Sequence, residues 1–382
     1  MRGESDVLIV GAGPAGAAAG ILLARAGVRV AVVDRARFPR DKTCGDALSN
    51  RAVARLADLG VLGRVLERSH ATVRAAHAIL PDGTHIERRY PTPGLIVPRL
   101  LLDAALRDAL EQSGAEVMEG VSVRRVVADP TRPRALGAEL DWRARVVLAA
   151  DGPGSVAWEA TGRSPPAPQA LGIAITTYLE ELPAGLAPAV SEHYFERFLP
   201  SGYGWVFPAV DGASNVGVYQ TVDAYKRRET RLDALLAQFL AAHPERFRGA
   251  HARGRERTWQ LPLARPTLPP SGPGLLTLGD AARLVDPLSG EGIWHALESG
   301  FIAAQGTLAA LERGRLDAGA ARAIAGRIAL RVGVPAAARR AIQLGLDAVI
   351  RSGVDDLPLV KKLLTLGYGS GALDPSHARA GR

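Results

Sequence analysis

One stretch at the start of the chain limits the folds open to the rest. Asp6-Val-Leu-Ile-Val10 runs directly into Gly11-Ala-Gly13-Pro14-Ala15-Gly16. Residues 6–10 are short, apolar and bounded by glycine, which predicts a buried parallel strand. Gly13 to Ala26 predicts a helix ended by Gly27, and Val28 to Val33 a second strand ending in Asp34. Gly11 permits a tight turn. Gly13 lets the backbone approach a pyrophosphate, with Pro14 and Ala15 completing the turn. Gly16 lets the helix pack on the strand, so that the positive helix end faces the phosphates. Asp34 stands 18 residues beyond Gly16, where an acid accepts hydrogen bonds from a ribose. With strand, helix and acid together, the turn reads as a dinucleotide site.

The polar stretch after it, through Arg35, Phe38-Pro39-Arg40 and Lys42-Thr43-Cys44-Gly45-Asp46, is placed to lie along that dinucleotide. Helices are expected over 51–59, 100–112 and 231–243. β-structure is expected over 70–97, a hairpin over 117–127 and a buried strand over 145–150 running into Asp151-Gly152. Alternating segments between 171 and 220 predict an antiparallel sheet. A strand over 274–278 ends in Gly279-Asp280, and a long helix follows Pro287-Leu-Ser-Gly290-Glu-Gly292. From 316 to 366 the chain reads as helical, with breaks at Pro335 and Gly353. The expected fold is α/β: a three-piece Rossmann-like dinucleotide-binding domain (1–69, 98–163 and 271–315), an inserted antiparallel β-sheet substrate domain (70–97 and 164–270) and a helical C-terminus (316–382).

Composition removes several other classes. The 382 residues are 47% hydrophobic and 23% charged, so the chain is globular rather than disordered. The net charge of +8 comes mostly from scattered arginines, which reads as a solvated surface and not as a nucleic-acid footprint. Cys44 is the single cysteine, which excludes an internal disulfide and a cysteine-built zinc site and fits a reducing compartment. The histidines have no ligand spacing, and no metal is expected. A strand within six residues of Met1 leaves no room for a signal peptide, and no apolar run would span a bilayer. The expectation is a cytoplasmic protein, with Leu357 to Leu366 leaving room for peripheral membrane contact.

Four separated motifs resemble one family pattern. These are the opening glycines with Asp34; Arg99 ahead of a helix carrying Asp103; Asp151-Gly152; and Gly279-Asp280 followed by Pro287, Gly290, Gly292 and Ile293. Together they resemble the p-hydroxybenzoate hydroxylase-like flavoproteins, over roughly residues 4–312. The resemblance implies a tightly bound, non-covalent FAD. It also implies Arg99 at the flavin, Asp280 on the ribityl chain and the helix after Gly292 facing the flavin pyrimidine. Two further stretches narrow it. Phe38 to Asp46 resembles the Cys-Gly loop of geranylgeranyl reductases, and Tyr203-Gly204-Trp205-Val206-Phe207-Pro208 resembles their Tyr-x-Trp-x-Phe-Pro motif. That family saturates isoprenoid double bonds with reduced FAD. Halogenases of similar fold need a lysine after the first cofactor motif, and no lysine lies between Lys42 and Lys226.

The candidate catalytic residues are Cys44 and His295, each set against a plain packing role. Cys44, Gly45 and Asp46 also count as cofactor-side residues; Asp46 is a candidate general acid or base near the flavin, but reads more simply as the cap of a helix starting near Ser49. Tyr203, Trp205 and Phe207 alternate onto one sheet face and, with Trp294, form the candidate wall for an apolar substrate, Tyr203 adding a hydroxyl donor. With one dinucleotide fingerprint, the reductant is NAD(P)H bound transiently or a reduced electron carrier. Three readings stay open: an FAD-dependent alkene reductase, an FAD-dependent monooxygenase or oxidase acting on a natural-product intermediate, and a non-catalytic escort of prenylated partners. Intact flavin motifs speak against the last.

Overall fold

The computed structural model describes residues 1–129, 131–185, 189–227 and 230–369, so the last part of the expected C-terminal region lies outside the described residues. The first strand, Arg2–Val10, is central to an eight-stranded sheet. Val30–Asp34 lies parallel on one side with Val7 opposite Val30, and Asp141–Ala149 on the other with Val7 opposite Val146. Leu275–Thr277 and Glu116–Glu119 extend the sheet outward, again parallel. Where the first strand is covered on both faces it is apolar, and Val7, Leu8 and Ile9 are fully buried. Because they run the same way, Val10, Asp34, Ala149 and Thr277 end at one edge, where turns from distant parts of the sequence meet.

Small residues bring the helices close. Helix Pro14–Arg25 packs on helix Ile293–Glu312, and a Cβ on Gly300 would lie 2.5 Å from the Ala15 carbonyl oxygen. That approach sets the start of the long helix beside the glycine turn.

The expected hairpin over 117–127 is corrected. Glu116–Glu119 joins the parallel sheet, Gly120 turns the chain at φ +75°, and the hairpin is Arg125–Val127 with Arg134–Leu136. One apolar alternation had spanned two strands with different partners. The second sheet has nine strands and is antiparallel with one exception. Val190–Tyr194 lies parallel to Ala71–Ile79, which stitches the early hairpin to the later strands. No tight turn joins these two segments, so their direction is free of hairpin geometry.

Pro335 does not break the C-terminal helices. A π turn at Ala329–Gly333 links Ala318–Ile328 to Val334–Ser352, and Pro335 falls in the first turn of the latter, where the absent N–H costs least. Gly353, at φ +78°, ends that helix as expected. No helix among the described residues is long and apolar enough to cross a membrane.

Candidate active site

Between the two sheets lies a cavity of about 1530 Å³, running from the glycine turn to helix Val334–Ser352. Pockets for one small ligand hold roughly 300–1,000 Å³, so this one has room for more than one. Gly11, Gly13, Pro14, Ala15, Asp34 and Arg35 line one end; Gly16 lies beneath them.

The cradle is made of backbone. A Cβ on Gly16 would sit 1.9 Å from the Gly11 carbonyl oxygen, so only glycine lets the helix begin there. The Asp34 carboxylate accepts the Ala12 N–H at 2.9 Å and the Ala36 N–H at 2.8 Å, leaving a lone pair on each oxygen for a ribose. Asp151 takes the Val156 N–H at 2.8 Å on one oxygen, and its Oδ1 is buried without a hydrogen-bond partner among the described residues. Burial raises that carboxyl above its ordinary range. Gly152, at φ +87°, carries the chain around beside it. The Trp158 indole N–H donates to the Ala281 carbonyl at 2.8 Å, tying this turn to the Gly279-Asp280 turn. Asp280 pairs with Lys42 at 3.5 Å.

Arg99 is buried and holds Asp103 with two hydrogen bonds, at 2.8 and 2.7 Å. Arg40 reaches the same carboxylate at 2.8 Å. Two cations on one buried carboxylate leave a net positive charge in the wall, suited to an anionic cofactor. Arg40 was missed in the sequence as a site residue. Its guanidinium also approaches Gly13, 3.7 Å from where a Cβ there would stand.

The loop before the long helix is bound from the substrate sheet. Asp286 accepts the Leu288 and Ser289 N–H groups at 2.7 and 3.2 Å and pairs with Arg339 at 2.5 Å. The Tyr219 hydroxyl donates to the Pro287 carbonyl at 2.8 Å, and the Tyr203 hydroxyl donates to the Ser289 carbonyl. The expected donor role of Tyr203 is thereby corrected: its proton is committed to the loop. Gly290 turns at φ +67°, and Gly292 precedes Ile293 at the start of the helix.

Cys44, Gly45, Tyr203, Trp205, Phe207, Trp294 and His295 all line the cavity. A Cβ on Gly45 would lie 3.0 Å from the Phe207 ring, so loop and aromatic wall are in close contact. Trp205 and Phe207 stack with centroids 6.1 Å apart. Burial raises the Cys44 thiol above its ordinary value, and Arg99 partly offsets this, so Cys44 is a thiol at neutral pH. His295 is buried, and burial pushes it down to about 3. It is a neutral imidazole at pH 7, which removes the imidazolium as a proton donor. Trp294 belongs to the first-sheet core, with the Arg51 guanidinium 3.2 Å from its ring centre.

Asp46 differs from both expectations. Ser49 caps helix Asn50–Asp58 through the Ala52 N–H at 3.3 Å, and Asp46 is absent from the cavity lining. Asp46 is 1% exposed at φ +64°, facing the substrate sheet. Burial raises its carboxyl to about 6 against the hydrogen bonds that favour the charged form.

His193 is a second histidine on the wall that the sequence did not single out, between the rings of Tyr203 and Phe207 at 5.6 and 5.7 Å. Its signal was the alternation of Ser191, His193 and Phe195, all of which line the cavity. The far end is mostly aliphatic, with Arg88, two residues from Ile86 on the same strand, also in its lining. Leu80 and Ile86 of the early hairpin face Ile342, Leu346, Val349 and Leu364 of the C-terminal helices. Among the described residues there is no cluster that could hold a metal ion.

Residues 4–319 match the family described as FAD binding domain. The chain is 35% identical over 320 residues to a menaquinone reductase of Mycolicibacterium smegmatis, covering 80% of this chain and 76% of that protein. It is 28% identical over 317 residues to a digeranylgeranylglycerophospholipid reductase of Thermoplasma acidophilum, covering 80% and 78%. A geranylgeranyl bacteriochlorophyll reductase-like structure from Thermoplasma acidophilum has the same fold, with a TM-score of 0.82 at 22% identity over 98% of both chains. The backbone cradle and the unpartnered Asp151 oxygen fit a dinucleotide of this kind. This chain is therefore an FAD-dependent oxidoreductase, and it belongs to the geranylgeranyl reductase family.

Proposed function

We propose that the chain reduces a carbon–carbon double bond of an isoprenoid or similarly apolar substrate. The observation that carries this reading is the aliphatic arm of the cavity, lined by Leu80, Ile86, Ile342, Leu346 and Val349 beyond the aromatic wall. A long apolar chain has room there and few polar groups to satisfy.

Bound FAD would be held by the Gly11–Gly16 turn, Asp34, Arg99, Asp151 and Asp280, and in reduced form it supplies a hydride. Trp205 and Phe207 hold the alkene in one plane and exclude water. The Cys44 thiol, kept protonated by burial, gives its proton to the second alkene carbon. Arg99 beside it stabilises the charge left on sulfur. NAD(P)H or a reduced carrier acts as a transient reductant.

Peripheral membrane contact is part of the same proposal. Leu359, Leu363 and Leu366 share one face of helix Pro358–Gly369 and are each more than half exposed, and Leu363 also lines the cavity. A prenylated substrate would enter from lipid at that end.

The test is anaerobic turnover of polyprenyl substrates with dithionite-reduced enzyme, read by mass spectrometry. A product two hydrogens heavier is expected. Activity that requires O2, with oxygen in the product, would establish the monooxygenase reading instead.

A further inference from the structure

Cys44 and Asp46 lie early in the chain, but their loop is held by the second sheet. Asn215, on strand Ala213–Thr221, is 1% exposed. Its side-chain oxygen accepts the Thr176 hydroxyl at 2.7 Å and the Trp205 indole N–H at 3.0 Å. Its nitrogen donates to the Cys44 carbonyl at 2.9 Å and to Asp46 Oδ2 at 2.9 Å. A primary amide offers two N–H groups and two lone pairs, so its capacity is fully used. The indole can only donate and the backbone carbonyl can only accept, which fixes which way the amide points. Asp46 also takes the Arg99 N–H at 3.1 Å and the Tyr178 hydroxyl.

We infer that Asn215 is a positioning residue that couples Cys44 to Trp205, setting thiol and aromatic wall as one unit. The inference rests on the proposed roles of those two residues at the reacting bond. Apolar packing alone sets such a loop loosely, because it has no direction. Four hydrogen bonds through one buried amide give a single register, and removing them leaves buried polar groups unpaired. The loop then relaxes toward solvent.

Because Cys44 is the only cysteine, thiol labelling reads this loop alone. The FAD-loaded protein is treated with methyl methanethiosulfonate, and the labelling rate is measured by mass. Asn215→Ser is expected to label about ten-fold faster than the parent. Thr176→Val, which removes one donor to the amide oxygen and is milder toward folding, is expected to label a few-fold faster. Unchanged rates in the folded variants overturn the inference. If Asn215→Ser does not hold FAD, Thr176→Val decides alone. Labelling needs no turnover, so failure of the reductase reading is a separate result.

Asn215→Asp adds a signature that loss of volume would not produce. At neutral pH its carboxylate has no donor and faces Asp46. On acidification one of the two takes up a proton, and a donor returns. Tyr178 and Arg99 face Asp46, and Asp46, Arg99 and Lys42 face Cys44. The labelling rate relative to the parent is expected to fall toward one between pH 8 and about 5.5. A ratio that does not change with pH removes the coupling role.

Discussion

The two ends of the cavity are built on different principles. At the dinucleotide end the determinants are mostly backbone: a turn of glycine, alanine and proline and a helix N-terminus, braced by one buried acid, Asp34, that ties Ala12 to Ala36. At the substrate end they are side chains from at least five separated segments, including Cys44, Trp205, Asn215, His193 and Leu346. A backbone site tolerates almost no substitution but can be read locally. A side-chain site can be altered piecemeal, and its parts have meaning only once the chain has folded.

Four changes probe that contrast. The largest effect is expected from Gly16→Ala, whose Cβ would meet the Gly11 carbonyl oxygen at 1.9 Å. A clash with backbone cannot relax through a rotamer, so a destabilisation of at least about 3 kcal/mol is expected. Purified protein should carry little flavin absorbance; retention of a full complement would break the contrast.

Next is Asp46, whose carboxyl is raised from 3.8 to about 6 by burial. Between those values the unfolded chain has lost the proton and the folded chain still holds it. Stability therefore falls as pH rises through this window, by up to about 3 kcal/mol at 1.36 kcal/mol per pH unit. Asp46→Asn lacks this slope. Urea titrations from pH 4 to 7 should show the variant gaining on the parent by about that amount, and parallel curves would count against it.

Cys44→Ala should lower kcat about 100-fold, the usual scale for a lost proton donor, with FAD content unchanged. A loss confined to KM would make Cys44 a wall residue only. The smallest effect is expected from Leu346→Ala in the aliphatic arm. Removing that contact should raise KM by roughly 5–30-fold, about 1–2 kcal/mol, while kcat and the melting temperature change little.

Much of the fold was legible because it follows from local pattern. The glycine turn, the parallel strands and most helices appear close to where the apolar spacing put them. Misreadings arose where one local pattern served two elements or was overruled by a partner elsewhere. The alternation over 117–127 split between a parallel strand and a separate hairpin. Pro335 was absorbed by a π turn. Asp46 looked like a cap only because a helix begins nearby, whereas its partners are Tyr178 and Asn215.

Sequence alone determined the cofactor end, since a tight turn, a close helix approach and an acid after a strand are requirements on neighbouring residues. The substrate end was decided by tertiary structure. Asn215 joins residues 169 and 171 positions away, and Arg40 reaches Asp103 from another segment. Hydrogen bonds of that range leave no period or spacing in a sequence. They exist only when two sheets are brought face to face, and there a single amide can hold a thiol against an aromatic wall.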